Sequence, residues 1–344
     1  MNLAELNKVA NAMVAPGRGI LAADESSGTI KKRFDAIGVE CTEDNRRDYR
    51  EMLFRSTDAM KNNISGVILY DETIWQKAKD GTPLVEIIKK AGSLPGIKVD
   101  EGTKPLPNCP GELITIGLDK LAERLPKYYE QGARFAKWRA VIDIGPGIPS
   151  YAAISTNAHA LARYAALCQA AQIVPIVEPE VLMDGDHDID RCLEVSEFML
   201  KETFQQLYYQ RVALEGIVLK PNMAVPGKKS GKKASVQEVA EKTVRMLKNC
   251  VPGAVPGIAF LSGGQSDGEA TAHLDAMNKL GGLPWRLTFS YGRALQAAPQ
   301  KAWAGKSENL AAAQNAFQHR ARMNGLAAQG QWKADLDNTE KKAA

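Results

Sequence analysis

Cysteine is scarce in this chain. Its 344 residues include five cysteines, at positions Cys41, Cys109, Cys168, Cys192 and Cys250. They are far apart, and no two of them have the CxxC spacing. This pattern argues against a disulfide framework and against a zinc ribbon, and it is typical of proteins in a reducing compartment. We therefore expect a cytoplasmic protein.

Histidine is also rare, with four residues, at His159, His187, His273 and His319, and none has the close spacing of metal ligands. The stretch Asp184–Asp188 reads Asp-Gly-Asp-His-Asp and is the best support for a metal-dependent reaction. We interpret it as a loop that leads into a helix. The sequence therefore predicts no metal site and no other cofactor.

Long apolar runs and a large charge excess are both missing. No apolar run approaches the roughly 20 residues that a membrane-spanning helix needs. Leu3, Leu6, Val9 and Met13 have the spacing of one face of a helix, which is not the pattern of a signal peptide. The net charge is only +4, and the Lys-rich stretch 227–233 is most simply a solvated loop. We expect neither a membrane nor a nucleic-acid partner.

The sequence does contain eight short apolar runs, separated by intervals long enough for a crossover helix. Alternating strands and helices predict a parallel sheet, and eight such units in this length favour a closed (β/α)8 barrel, or TIM barrel, of the α/β class over a doubly wound open sheet. We expect one barrel domain over residues 1–330 and a polar tail over 331–344. The runs are Gly19–Ala23, Gly66–Tyr70, Gly96–Val99, Phe135–Trp138, Ile173–Val177, Ile217–Leu219, Gly257–Leu261 and Leu287–Phe289.

The sixth run ends in a lysine. Lys220 directly follows Ile217–Leu219, and Pro221 stops the strand because proline has no N–H for a sheet ladder. Burial lowers the pKa of a lysine and favours the neutral amine, which is a nucleophile toward carbonyl carbon. The alternative is a lysine whose stem is buried and whose ammonium reaches solvent.

Other runs also end in polar residues. In a barrel of this kind the active site lies at the carboxyl ends of the strands. Residues two apart share one side of a strand, so four pairs of polar residues are expected to face the same rim. These pairs are Asp24 with Ser26, Lys98 with Asp100, Lys137 with Arg139, and Glu178 with Glu180.

Two anion sites are predicted at this rim. Ser262 and Gly263 lead into a helix, so backbone N–H groups there can bind phosphate, and Ser290, Gly292 and Arg293 provide similar groups after the eighth run. Lys98 and Arg139, near Ser26, form a second cationic group. Two anion sites with a lysine amine between them indicate a bisphosphorylated carbonyl substrate.

At this point a family resemblance is evident along nearly the whole chain. Seven motifs in order carry it: Gly19–Ser26, Gly96–Asp100, Phe135–Arg139, Val177–Glu180, Leu219–Asn222, Phe260–Ser266 and Phe289–Leu295. The sequence resembles class I fructose-1,6-bisphosphate aldolase. The resemblance implies a (β/α)8 barrel, usually a homotetramer, that cleaves fructose 1,6-bisphosphate into dihydroxyacetone phosphate and glyceraldehyde 3-phosphate in glycolysis and gluconeogenesis, with a small sugar phosphate as its partner.

The resemblance also implies residue roles. Lys220 matches the lysine that forms the Schiff base, and Glu178 matches the acid/base for carbinolamine formation and dehydration. Asp24 matches the carboxylate that takes the C4 hydroxyl proton, and Lys137 matches the lysine beside the nucleophile. The C1-phosphate pocket matches Ser262, Gly263, Gly292 and Arg293, and the C6-phosphate positions match Ser26, Thr29, Lys98 and Arg139, with Glu180 and Ser290 as further substrate-binding candidates.

The sequence departs from the family pattern at two places. Thr29 stands where a serine is expected, and it keeps the hydroxyl. Well-known animal members end in a tyrosine thought to assist proton exchange on the enamine, whereas this sequence ends Lys341–Ala344 and has its last aromatic residue at Trp332. No such aromatic contribution is expected from these residues.

Two other functions are compatible with parts of the sequence. Gly264–Gly268 fits the G-x-S-x-G pattern of a serine hydrolase, with Ser266 as nucleophile and with Asp275 and His319 in the right chain order. That function leaves Lys220 without a role. The other possibility is a non-enzymatic barrel that only binds sugar phosphates.

Overall fold

Eight parallel strands close into a barrel in the computed structural model, which describes residues 1–341. Around the barrel the order is β1-β10-β9-β8-β7-β6-β3-β2. The strands are β1 (Gly19–Ala23), β2 (Ile64–Leu69), β3 (Leu94–Lys98), β4 (Thr103–Pro105), β5 (Leu113–Thr115), β6 (Phe135–Ile142), β7 (Val174–Val181), β8 (Val218–Leu219), β9 (Gly257–Phe260) and β10 (Arg286–Tyr291).

Helices surround the barrel. The α-helices are α1 (Leu3–Met13), α2 (Ser27–Asp35), α3 (Glu43–Phe54), α4 (Thr57–Asn63), α5 (Asp71–Trp75), α6 (Leu84–Lys90), α7 (Leu121–Gln131), α8 (Tyr151–Ala170), α9 (Ile189–Tyr209), α10 (Val236–Cys250), α11 (Asp267–Leu280), α12 (Arg293–Trp303), α13 (Leu310–Ala327) and α14 (Ala334–Lys341). Single 3₁₀ turns lie at Leu214–Gly216 and Ser307–Asn309. Among the described residues, no helix has the length and apolar character needed to cross a bilayer.

The closed barrel confirms the expected architecture, and the open-sheet alternative is wrong. Each of the eight apolar runs overlaps one barrel strand. The main difference is at β6 and β7, which continue to Ile142 and Val181, so Arg139 and Glu178 lie inside strands and not beyond their ends. These two strands pair over eight residues. The polar pairs Lys137 with Arg139 and Glu178 with Glu180 therefore lie on paired strands that reach the rim of the barrel.

A small antiparallel hairpin, β4–β5, follows β3 and was not predicted. Its strands are three residues each, and β4 is fully exposed, so neither shows the alternation of apolar and polar residues that marks a strand. The hairpin places Gly102 and Thr103 beside the cavity described below.

Helix α1 closes the amino-terminal end of the barrel. Leu6, Val9 and Met13 are buried in one cluster with residues of the barrel interior, as their spacing predicted, whereas Leu3 is exposed. Burying the apolar face of an amphipathic helix against the barrel interior removes both apolar surfaces from water.

Phe135 fills the space inside the barrel next to two glycines. A Cβ atom added at Gly66 would lie 2.8 Å from Cε1 of Phe135, and one added at Gly96 would overlap the same ring. Only glycine leaves room for this ring at these two strand positions, and the ring compensates for the missing side chains.

The expected tail, 331–344, contains helix α14. Asp337 is buried and accepts hydrogen bonds from Arg320 Nη1, at 2.6 Å, and from His319 Nε2, at 2.8 Å. Burial alone raises the pKa of Asp337, but the bonds from His319 and Arg320 outweigh it and hold the pKa well below the usual range. The domain boundary at residue 330 stays a prediction, and the chain end at 342–344 lies outside the described residues.

Candidate active site

A cavity of about 380 Å³ opens at the carboxyl ends of the barrel strands. All four predicted catalytic residues line it, as do all but one of the predicted binding residues. The predicted residues in its lining are Asp24, Ser26, Thr29, Lys98, Lys137, Arg139, Glu178, Glu180, Lys220, Ser262, Gly263, Ser290 and Gly292.

Four charged side chains form a continuous row at the bottom of this cavity. Lys220 Nζ lies 3.2 Å from Glu178 Oε1, and Lys137 Nζ lies 3.4 Å from Glu178 Oε2. Lys137 Nζ also donates to Asp24 Oδ2 at 2.8 Å. Two lysines and two carboxylates therefore alternate in the row, with each inner residue touching two partners.

The strands explain how this row forms. Lys137 and Glu178 come from neighbouring strands β6 and β7, while Lys220 directly follows β8 and its N–H donates to Val177 O at 2.8 Å. Lys220 is only 4% exposed, Glu178 3% and Lys137 5%. Lys220 is thus a buried lysine inside the cavity, and the alternative of a lysine that reaches bulk solvent is wrong.

The pKa shifts follow from burial and from these neighbours. Burial alone raises the pKa of Asp24, but the charges of Lys137 and Lys220 outweigh it and hold the pKa well below the usual range. Burial alone lowers the pKa of Lys137, but Asp24 and Glu178 outweigh it and raise the pKa well above the usual value. At neutral pH, Asp24 is therefore a carboxylate and Lys137 a cation.

The two carboxylate oxygens of Glu178 have different surroundings. Its Oε2 is buried and accepts no hydrogen bond from the described residues, although the Lys137 ammonium lies 3.4 Å away. A buried oxygen with an unused acceptor site is costly unless a ligand or water uses it. The other oxygen, Oε1, lies 3.2 Å from Lys220 Nζ, so Glu178 is well placed to exchange protons with a group bound to that lysine.

A second charged cluster lies on one side of the cavity. Lys98 Nζ is 3.4 Å from Asp100 Oδ1 and 5.9 Å from the centre of the Tyr70 ring. The guanidinium of Arg139 pairs with Glu180 of the neighbouring strand. Both cations already have an anionic partner, so a phosphate bound here would share or replace those contacts.

Two hydroxyl groups lie near this cluster at the start of α2. Ser26 occupies the N-cap position of the helix, and its Oγ is 3.2 Å from Thr29 Oγ1. Thr29 therefore places its hydroxyl where the family serine was expected. The positive end of the helix dipole and two hydroxyl donors together favour an anion.

The loops after β9 and β10 contain the residues that were predicted for the other anion site. Gly263 has φ of +54°, a left-handed conformation that favours glycine, and it precedes helix α11. Gly292 is the N-cap residue of α12. Gly263 and Gly292 both line the cavity, and Gly292 places the amino-terminal end of α12 beside it.

Arg293 is placed differently from our expectation of a direct phosphate partner. Its Nη2 donates to Gly263 O at 3.1 Å and to Gln265 O at 3.4 Å, and Arg293 is absent from the described residues that line the cavity. In this arrangement the guanidinium supports the loop after β9. Sequence alone does not show that carbonyl groups of a neighbouring loop compete with phosphate for the guanidinium of Arg293.

Sequence reasoning missed Arg33 and Glu25, which also line the cavity. Arg33 pairs with Glu25, which is 6% exposed and accepts a hydrogen bond from Gln296 Nε2 at 2.7 Å. Ser26, Thr29 and Arg33 are spaced by three and then four residues, which places them on one face of α2. This spacing could have identified Arg33 from the sequence.

The serine hydrolase alternative is not supported by the site of Ser266. This residue is the N-cap of α11, and its Oγ donates to Glu269 Oε2 at 2.8 Å in a reciprocal capping box. Asp275 accepts the N–H of Trp332 at 2.8 Å, and His319 pairs with Asp337. The three residues thus have separate structural partners.

The acidic stretch before α9 is likewise occupied by ion pairs and a helix cap. Asp184 pairs with Lys228, and Asp188 caps α9 and pairs with Lys232. Within the described part of the chain, no three His, Cys, Asp or Glu side chains are grouped as metal ligands.

The model of one protein family matches residues 5–344, and it is that of the class I fructose-bisphosphate aldolases. The chain belongs to this family. A probable class 1 aldolase from Xanthomonas campestris is 57% identical over 334 residues, which cover 97% of this chain and all of the relative. A fructose-bisphosphate aldolase from Drosophila melanogaster is 55% identical, with 96% of this chain and 91% of the relative covered.

The solved structures agree with this membership. Fructose-bisphosphate aldolase from Plasmodium falciparum, solved as a ternary complex with TRAP and a small-molecule inhibitor, superposes with a TM-score of 0.94. It is 48% identical, with 96% of each chain covered. The predicted family, barrel and aldolase (lyase) function are therefore confirmed, whereas the roles of individual residues stay predictions.

Proposed function

We propose that this chain cleaves fructose 1,6-bisphosphate reversibly through a Schiff base on Lys220, without a metal ion. The observation that carries the proposal is the buried lysine at the bottom of the cavity, with Nζ 3.2 Å from a carboxylate oxygen of Glu178. A lysine nucleophile needs a nearby acid/base within hydrogen-bond reach, and this pair has that geometry.

Imine formation uses Lys220 and Glu178. The neutral amine attacks C2 of the open-chain ketose, a C–N bond forms, and the carbonyl electron pair moves to oxygen. Protonation of that oxygen and loss of water then leave a protonated imine. Glu178 supplies and removes these protons, since its Oε1 lies 3.2 Å from Lys220 Nζ.

Cleavage of the C3–C4 bond uses Asp24. Its carboxylate accepts the C4 hydroxyl proton while the bonding electrons move into the imine, giving an enamine on Lys220 and free glyceraldehyde 3-phosphate. Lys137 touches Asp24 and Glu178 and balances their charge as protons move. Protonation of the enamine at C3 and hydrolysis of the imine release dihydroxyacetone phosphate.

The two phosphates hold the substrate across the cavity. We assign the C1 phosphate to the loops after β9 and β10, with Ser262, Gly263 and Gly292, and with Arg293 as the support of the first loop. We assign the C6 phosphate to Ser26, Thr29, Lys98 and Arg139. Ser290 and Glu180 also line the cavity. Anchoring both ends positions C2 beside the amine and reduces the entropy lost in reaching the transition state.

The direct test is chemical trapping. Incubation with dihydroxyacetone phosphate followed by borohydride is expected to reduce the imine to a stable secondary amine on Lys220, located by mass spectrometry. Lys220→Met should form no adduct at that site. An adduct on Lys98 or Lys137 instead, or no adduct in an active preparation, contradicts the assignment, and bound substrate without turnover would favour the non-enzymatic barrel.

Chelation distinguishes this mechanism from a metal-dependent aldol cleavage. We expect EDTA to leave the cleavage rate of fructose 1,6-bisphosphate unchanged, because the described residues contain no group of three His, Cys, Asp or Glu side chains that could hold a metal ion. The measurement is the initial rate before and after prolonged dialysis against EDTA. Loss of activity that zinc restores would assign the chain to the metal-dependent class.

The two phosphate pockets are tested by Arg293→Ala and Arg139→Ala. Arg293→Ala should weaken use of both fructose 1,6-bisphosphate and fructose 1-phosphate, whereas Arg139→Ala should affect the bisphosphate more, because only that substrate has a C6 phosphate. A charged hydrogen bond contributes roughly 1.5–3 kcal/mol, so kcat/KM should fall about tenfold or more. Equal losses on both substrates for both variants would show that the pockets are misassigned.

We further propose a cytoplasmic homo-oligomer, a tetramer by family resemblance, acting in glycolysis and gluconeogenesis. All five cysteines are free thiols, which supports a reducing compartment. Sedimentation of the purified protein measures the oligomeric state, and a monomer at micromolar concentration would contradict this part of the proposal.

A further inference from the structure

The loop after β9 contacts a second cation, Lys228, besides Arg293. We call Ser262–Gln265 the anion loop, because it is the proposed site of the C1 phosphate. A Cβ atom added at Gly264 would overlap Cε and Nζ of Lys228. The lysine side chain therefore lies directly against the loop backbone, in the space that glycine leaves open.

Lys228 is fixed in this position by contacts that are local to it. Its backbone N–H donates to Met183 O at 2.8 Å, and its Nζ donates to Asp184 Oδ1 at 2.9 Å. The neighbouring N–H groups of Gly227 and Lys229 donate to the same segment before α9, at 2.8 and 2.9 Å. Although the Lys228 side chain is 44% exposed, the base of this side chain is therefore held firmly.

The same segment also touches the anion loop. The N–H of Gly264 points to Met183 Sδ at 2.9 Å, while Arg293 donates to the carbonyl groups of Gly263 and Gln265. The anion loop thus lies between Arg293 on one side and the Met183–Lys228 contact on the other. The loop also has internal bonds, since the N–H and the side-chain amide of Gln265 both donate to Ser262 O. The contacts of Met183 and Lys228 act on Gly264 within this turn and are well suited to fix the direction of its N–H group.

We propose that Lys228 is a positioning residue for the C1 phosphate, an inference that rests on the proposed function. The end of its side chain contacts Gly264 and holds the anion loop in the conformation that binds phosphate. Its positive charge also raises the electrostatic potential near the bound anion. Preorganised donors lower the cost of binding, and a nearby cation favours the anion over water. Asp184 offsets part of this charge and holds the ammonium in place.

Lys232 provides a matched control on the same segment. It is also a lysine in an ion pair, with Nζ 3.1 Å from Asp188 Oδ2, and its side chain is 61% exposed. Its partner is the N-cap residue of α9 and not a residue of the anion loop. Removing its charge therefore changes the net charge equally while leaving the contact at Gly264 intact.

The experiment measures borohydride trapping on Lys220 at increasing ketone concentration, with dihydroxyacetone phosphate and with unphosphorylated dihydroxyacetone. For Lys228→Met we expect the half-saturating concentration of dihydroxyacetone phosphate to rise about two- to fivefold, the scale of a partly exposed charge interaction. The maximal adduct and the curve for dihydroxyacetone should not change. Lys228→Arg should restore part of the affinity, and Lys232→Met should match the wild type.

The outcomes separate this inference from the proposed function. A Lys220 adduct in the wild type with no shift in Lys228→Met overturns the role of Lys228 alone. Equal shifts for both ketones, or the same shift in Lys232→Met, also overturn it, because they indicate general disruption or net charge. No adduct in the wild type overturns the proposed function and this inference together. A shift that becomes smaller in high salt supports the electrostatic part.

Discussion

Glu178→Gln is expected to reduce kcat for fructose 1,6-bisphosphate by about 10²- to 10⁴-fold, the range for loss of a positioned general acid/base. The substitution keeps the size of the side chain and removes its ability to exchange protons at neutral pH. Imine formation and dehydration should become slow, because Glu178 is the carboxylate that touches Lys220. Steady-state kinetics and the rate of borohydride-trapped adduct formation measure the effect.

Glu180→Gln is the comparison for this experiment. Glu180 lies two residues further along β7, lines the same cavity and pairs with Arg139, so its loss should mainly affect binding. A larger fall in kcat for Glu180→Gln than for Glu178→Gln would reverse our assignment of the two carboxylates.

Lys137→Met is expected to lower kcat by about 10²-fold or more, the scale for removing one preorganised group that stabilises charge in the transition state. Methionine keeps the length of the side chain and leaves Asp24 and Glu178 without their shared cation. Steady-state kinetics on fructose 1,6-bisphosphate measure this loss. Lys137→Arg preserves the charge with altered geometry and should retain more activity.

Lys137→Met should also change the pH dependence of kcat, and the direction of the change follows from the pKa of Asp24. Burial alone raises the pKa of Asp24, and the cations lower it below the usual range, so in the wild type Asp24 stays ionised as the pH falls through 4. Without Lys137, burial remains and one cation is lost, so the pKa of Asp24 should rise. The acidic limb of the kcat–pH profile, where the required carboxylate becomes protonated, should therefore move to higher pH.

Lys137→Met should also lower the stability of the folded protein at neutral pH. A depressed carboxylate pKa stabilises the folded state above the unfolded pKa, and that contribution is lost as the pH falls toward the folded pKa. Lys137→Met should remove this contribution at neutral pH, which thermal unfolding at pH 7 can measure. An unchanged pH profile together with an unchanged kcat would show that Lys137 does not tune Asp24, and its role would then be limited to substrate contact.

The barrel and the row of four charged side chains, Lys220, Glu178, Lys137 and Asp24, were predictable because both depend on local patterns. Apolar runs separated by helix-length intervals specify a parallel sheet, and a polar residue at the end of such a run faces the rim whatever the rest of the chain does. Lys137 and Asp24 are 113 residues apart in sequence. Their proximity was still predictable from the sequence, because the carboxyl ends of all the parallel strands lie at one rim.

The sequence by itself therefore determined the fold class, the family and the residues of the charged row. Only the tertiary structure decided where long side chains point: Arg293 toward loop carbonyl groups, Arg33 toward Glu25, and Lys228 onto Gly264. These contacts join loops whose relative positions depend on the packing of the whole barrel. Long charged side chains have many rotamers of similar energy, so their partners are chosen by distance and competition in three dimensions and not by spacing along the chain.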